Sequence, residues 1–143
     1  MSAINEWFGY YNAVFAYIHN TYGEKELDLC LEHLAKEAYC DVIKLYQTGG
    51  LDAIRERYLG NFQKDGDETS AAAVLTEGQL TLQIHCPAFY ASPPAIHPDR
   101  QVDAFFCSCC QKLNKGILRE SGYSLQVEQQ HVGDCRWCIV AEL

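Results

Sequence analysis

The hydrophobic residues of this chain change their spacing once, and that change constrains the fold more than any other feature. Up to about residue 63, apolar side chains recur every three or four positions, which is the period of an amphipathic helix. After Ala72 they alternate with polar residues, which is the period of a half-buried strand. Helices followed by strands predict an α+β fold, with N-terminal helices packed on an antiparallel sheet.

The first part of the chain contains three amphipathic segments. The first ends near Gly23, the second runs from Leu27 to Tyr46, and the third runs from Leu51 to Phe62. We expect Gly49-Gly50 to close the second helix, because glycine tolerates the left-handed conformation found at helix ends. The polar run over residues 63–69 predicts a surface loop after the third helix.

The second part of the chain predicts a sheet interrupted by one helix. In order, it contains a hairpin that turns at Glu77-Gly78, a Pro-rich loop over residues 88–99, a helix that stops near Gly122, a strand, a turn at Gly133-Asp134 and a last strand. The helical part, residues 1–63, and the sheet part, residues 72–143, together have the usual length of a single domain.

Charge and hydrophobicity exclude several classes of partner. Eleven Lys and Arg against 19 Asp and Glu give a net charge of -8, whose sign opposes phosphate backbones and anionic lipid head groups. We therefore expect neither nucleic acid nor membrane as a partner. No basic segment followed by an apolar core is visible at the N-terminus, which predicts a cytoplasmic protein. The aromatic face of the first helix could equally serve as a homodimer interface.

The eight cysteines are the main chemical feature of the sequence. Because reducing cytosol disfavours disulfides, we interpret them as thiols or metal thiolates. Cys107 and Cys110 form one Cys-x2-Cys pair, and Cys135 and Cys138 form another. Two such pairs can complete a tetrahedral site for one soft cation.

The two pairs differ in what they require of the backbone. Cys107 and Cys110 can converge on one face of a helix. Residues three apart on a strand point to opposite faces, so Cys135 and Cys138 would need a turn between them. Glu128 or His131 could replace one thiolate. Zinc is the expected metal, and an iron–sulfur cluster is the alternative.

Not every cysteine fits the ligand pattern. Cys30 and Cys109 fall on the apolar faces of their helices, where a buried thiol behaves as a small hydrophobic residue. We expect both to be core residues.

The C-terminal third resembles the end of the 4-vinyl reductase domain, a ligand-binding module of bacterial aromatic sensors. The resemblance rests on Phe105-Phe106-Cys107 and on the run from Val127 to Cys138. It implies zinc beneath a small-molecule pocket, with Cys107 or Cys110, Glu128, His131 and Cys138 as ligands. Histidine stands here where that family usually has cysteine, and Cys135 and one helix cysteine are extra.

The order of elements is also similar to that of the L-2-amino-thiazoline-4-carboxylate hydrolase family, mainly over residues 80–142. That resemblance implies that water opens a small heterocycle containing sulfur and nitrogen.

The end of the Leu82–Cys86 strand and the loop that follows supply candidate catalytic residues. Cys86 is the candidate nucleophile, and His97, Arg100 or His85 could supply the base or positive charge that lowers its pKa, with His85 the weakest because adjacent strand residues point apart. Cys86 could instead pack inward with its strand neighbours. Phe89 and Tyr90 are candidate pocket residues, because aromatic side chains on a loop can line a small-molecule site.

The sequence therefore predicts a cytoplasmic metalloprotein that binds a small molecule between the helices and the sheet. We expect it to hydrolyse a small heterocyclic or C–N/C–S substrate. Two alternatives remain open: a sensor or carrier that binds its ligand without chemistry, and an iron–sulfur redox protein. Four protein ligands would make the metal structural, whereas three would leave a position for water.

Overall fold

The computed structural model describes residues 3–65, 69–85 and 104–142, and it has the predicted α+β architecture. The described elements are α1 (Ala3–Tyr22), α2 (Glu24–Ala38), α3 (Cys40–Asp65), β1 (Ala71–Thr76), β2 (Gln79–His85), α4 (Ala104–Glu120), β3 (Tyr123–His131) and β4 (Asp134–Ala141). The α4-β3-β4 order confirms the predicted helix-strand-turn-strand arrangement. None of the helices in these ranges combines the length and hydrophobicity needed to span a bilayer.

The helix boundaries differ from the sequence prediction at three points: at residue 39, at Gly49-Gly50, and at the end of α3, which continues to Asp65 and so into the predicted loop over residues 63–69. The predicted second helix is divided, because α2 ends at Ala38 and α3 begins at Cys40. Tyr39 lies between them with φ -114° and ψ 22°, and its side chain packs against the main core. Gly50 interrupts α3 with φ 67° and ψ -155°, so the expected break at Gly49-Gly50 is a kink within that helix.

The four strands form one antiparallel sheet in the order β1-β2-β4-β3. β4 therefore lies between β2 and β3, and it pairs with both. Alternate residues of these strands face the helices, as the period of two predicts. The buried residues of this inner face are Ala71, Leu80, Leu82, Ile84, Leu125, Cys135, Trp137 and Ile139.

Two hydrophobic clusters hold the helices in place. The main one packs the inner face of the sheet against α3 and α4, and its buried aromatic residues from α3 are Tyr46, Tyr58 and Phe62. The smaller one joins α1, α2 and α4 through Phe15, Leu27, Leu31 and Cys109. α4 belongs to both clusters, so its Cys109 side faces the helices and its Cys107 side faces the sheet.

Candidate functional site

Three cysteines from two elements meet at a small cavity between α4 and the sheet. Cys107 and Cys110 come from α4, and Cys135 comes from β4. Cys107 and Cys135 are buried, and Cys110 is partly buried. The remaining lining residues are Ile84, Phe106, Gln111 and Trp137. All the cysteines in the described ranges are thiols.

Helix geometry and strand geometry together bring the three cysteine side chains to the cavity. Cys107 and Cys110 are three residues apart on α4, so they lie on neighbouring positions of one helix face. Cys135 is the first inward-facing residue of β4, and its register partner on β2 is Ile84, which also lines the cavity. Gly133 has φ 88° in the turn before β4, a value that favours glycine, and this turn sets where β4 begins.

The three thiols act on one another electrostatically. Burial, and after it the neighbouring Cys107 and Cys135 sulfurs, raise the pKa of the Cys110 thiol to about 12. Burial likewise raises the pKa of Cys135 to about 11, with Cys107 as the next contribution. Cys110 and Cys135 therefore stay protonated at neutral pH unless a cation compensates their charge.

The cavity volume limits what can bind between the thiols. It is about 10 Å³, roughly the space that one water molecule needs. Pockets for organic ligands are typically about 300–1,000 Å³. An atom-sized occupant such as a metal ion or a water therefore fits, and an organic molecule does not.

The structure separates Cys138 from these three cysteines. Both Cys135 and Cys138 belong to the continuous strand β4, with no turn between them. Their side chains therefore point to opposite faces of the sheet, and Cys138 lies beside Thr81 and Gln126 on the outer face. The spacing of the second Cys-x2-Cys pair therefore does not bring its two sulfurs together.

The other two candidate ligands also lie away from the cavity. Glu128 is exposed on the outer face, where its carboxylate accepts a 2.8 Å hydrogen bond from Arg136. His131 is exposed at the end of β3, beside Asp134. Asp134 is also the register partner of His85, and its carboxylate contacts the Nδ1 atom of that histidine.

The candidate catalytic and pocket residues of the loop, Cys86, His97, Phe89 and Tyr90, lie outside the described residues. Of the two cysteines expected in the core, Cys109 is buried in the smaller cluster and Cys30 is partly buried.

Sequence reasoning missed two polar residues beside the cavity. Asn114 lies one helical turn after Cys110, and its side chain contacts both the carbonyl oxygen and the sulfur of that cysteine. Tyr58 of α3 donates a hydrogen bond to Asn114. The four-residue spacing from Cys110 could have indicated Asn114, whereas no local pattern indicates a tyrosine 56 positions away.

Within the described ranges, no group of three or more His, Cys, Asp or Glu side chains already stands in a geometry able to hold a metal ion. Tetrahedral zinc requires Zn–S distances of about 2.3 Å, so the three thiols would have to close around an ion. The residues are chemically suited to a metal of this kind, because thiolates bind soft and borderline cations, zinc among them. Comparison with protein-family models and with curated proteins finds no match.

Proposed function

We propose that the protein is a cytoplasmic metal-binding hydrolase of small molecules, in which Cys107, Cys110 and Cys135 bind one zinc ion. The observation that carries the proposal is the meeting of three cysteine side chains at one cavity of atomic size. The resemblance to the 4-vinyl reductase domain and to the thiazoline carboxylate hydrolases agrees with it.

The number of cysteines at the cavity favours hydrolysis over electron transfer. Iron–sulfur clusters usually need four cysteine ligands, and the fourth cysteine of the two pairs, Cys138, faces the other side of the sheet. A zinc ion with three protein ligands keeps one position for water or substrate and lowers the pKa of a bound water.

The chain's own residues then have distinct roles. Ile84, Phe106 and Trp137 surround the thiols with apolar surface, which excludes bulk water and strengthens electrostatic interactions in the site. Because the cavity is too small for an organic molecule, the body of a substrate would lie beyond the described lining. Cys86, His97, Phe89 and Tyr90 remain the candidates for contacting it. A small heterocyclic or C–N/C–S substrate is the class that the resemblance suggests.

Metal analysis of matched variants tests the ligand set. The protein is purified anaerobically, and its metal content and absorbance spectrum are measured with those of Cys107→Ser, Cys110→Ser and Cys135→Ser. Cys109→Ser and Cys138→Ser are the controls, because they lie on the same two elements but face away from the cavity. We expect about one zinc per chain in the wild type and in both controls, and a loss of zinc in the other three variants.

Each of the other outcomes would support a different ligand set or function, or would refute the proposal. Zinc lost from Cys138→Ser but retained in Cys135→Ser would favour the ligands implied by the family resemblance. Iron with sulfide would indicate a redox protein, and a metal-free wild type would refute the proposal. Zinc-loaded protein that binds 2-amino-thiazoline-4-carboxylate without opening its ring would indicate a carrier of that compound.

A further inference from the structure

A series of hydrogen bonds connects the cysteine cavity with a buried tyrosine of α3. Tyr58, which is only 6% exposed, donates from its hydroxyl to Asn114 Oδ1 over 2.7 Å. Asn114 Nδ2 lies 2.8 Å from the carbonyl oxygen of Cys110 and 3.5 Å from its sulfur.

The geometry fixes which way the Asn114 amide points. A backbone carbonyl oxygen can only accept hydrogen bonds, so the amide NH2 group must face Cys110. The amide oxygen then faces Tyr58, whose hydroxyl can donate to it. Both ends of the amide are satisfied in one orientation, and a flipped amide would place its oxygen against the Cys110 carbonyl.

This orientation directs an N–H group at the Cys110 sulfur. A neutral thiol is a weak acceptor, whereas a hydrogen bond to an ionised group is roughly twice as strong as one between neutral groups. The contact, 3.5 Å from Nδ2 to the sulfur, therefore favours the thiolate over the thiol. A cysteine binds a metal ion through its thiolate, not through its thiol.

We propose that Asn114, oriented by Tyr58, is a positioning residue that holds the Cys110 thiolate toward the cavity and stabilises its negative charge. This inference rests on the proposed zinc site. Partners of this kind, which contact a ligand but not the metal, typically change metal affinity by about 10- to 100-fold when they are removed.

Two variants test the two contacts, Asn114 with Cys110 and Tyr58 with Asn114. Asn114→Leu keeps a similar volume and removes the N–H donors. Tyr58→Phe removes only the hydroxyl, and it retains the ring that packs 5.2 Å from Trp137. We expect zinc to bind about 10- to 100-fold more weakly in Asn114→Leu, and a smaller loss of the same sign in Tyr58→Phe.

The chain offers a matched control for each variant. Ser121 donates a 2.7 Å hydrogen bond to the carbonyl of Ile117, four residues back on the same helix, but it does not line the cavity. Ser121→Ala therefore removes the same kind of backbone contact without the sulfur contact. Tyr123→Phe removes a hydroxyl from a tyrosine that packs against the same core. Neither control should change zinc affinity.

The measurements distinguish positioning from general destabilisation. Zinc dissociation constants come from competition with a chromophoric chelator, and the cobalt-substituted proteins give thiolate-to-metal charge-transfer bands. Loss of an N–H···S bond returns electron density to the sulfur and shifts those bands, which a lower melting temperature alone does not do.

The outcomes separate this inference from the proposed function. If the wild type binds zinc but neither the affinity nor the bands change in either variant, the inference is refuted and the zinc site stands. A wild type without zinc refutes both. If Asn114→Leu does not fold, Tyr58→Phe decides the question through the same two readouts.

Discussion

The kink at Gly50 predicts that one substitution has opposite effects at two positions of α3. Gly50 has φ 67° and ψ -155°, a region that residues with a side chain rarely enter. Holding a residue there costs about 1–3 kcal/mol. A Cβ atom at Gly50 would meet the Tyr123 hydroxyl at 3.6 Å, an ordinary contact, so the cost comes from the backbone rather than from crowding. We therefore expect Gly50→Ala to lower the free energy of unfolding by about 1–3 kcal/mol.

Gly60 provides the matched control on the same helix. It lies within the helical part of α3, and an added Cβ atom there would meet nothing within 4 Å. Alanine is favoured over glycine in a helix by about 0.5–1 kcal/mol, so Gly60→Ala should stabilise the protein by about that amount. The same chemical change then moves stability in two directions.

Urea denaturation followed by circular dichroism measures both variants. At this chain length each kcal/mol corresponds to roughly 2–5 °C in melting temperature, so thermal unfolding provides a second readout. If Gly50→Ala were as stable as Gly60→Ala, the left-handed conformation at residue 50 would be excluded, and α3 would be a continuous helix.

Two further predictions concern charge. Because the pKa values of Cys110 and Cys135 are raised to about 12 and about 11, the folded metal-free protein keeps protons that unfolded thiols lose near pH 8.5. Its free energy of unfolding should fall as pH rises from about 9 to 12. Urea denaturation of the chelator-treated wild type and of Cys110→Val over this pH range measures the fall, which should be smaller in the variant. An equal dependence of the unfolding free energy on pH in the two proteins would contradict the prediction. Lys112 lies 2.7 Å from Asp28 and 3.3 Å from Glu24, and these carboxylates raise its pKa. Lys112→Gln should lower the free energy of unfolding by about 0.2–1 kcal/mol at low salt and by less at high salt. Lys115 makes no ion pair within the described ranges, so Lys115→Gln should show no such salt dependence in the same assay.

Local patterns were sufficient to predict most of the architecture. The change of period separated the helices from the sheet, and the turns near Glu77-Gly78 and Gly133 follow from residues that favour turns. The break at Tyr39 was not predictable, because the apolar spacing continues through it. There, packing of the Tyr39 side chain overrides a helical pattern.

The site was predictable only in part, because tertiary packing decides which of the candidate residues meet. Spacing identified Cys107 and Cys110 correctly as neighbours on one helix face. It also paired Cys135 with Cys138, but alternation along a strand places these residues on opposite faces. The Tyr58–Asn114 contact joins two helices that are distant in the sequence. Such contacts depend on tertiary packing, which one sequence without relatives does not reveal.

The position of β4 in the middle of the sheet has a consequence for when the site can form during synthesis. The β1–β2 hairpin and β3 have no partner in common until residues 134–141 have been made, because both pair with β4. Cys107 and Cys110 are available on α4 much earlier, whereas Cys135 arrives with the strand that joins the sheet. On the ribosome the protein would therefore first present a two-thiol helix. The cavity would therefore close in the same step in which β4 joins β2 to β3 and completes the inner face of the sheet.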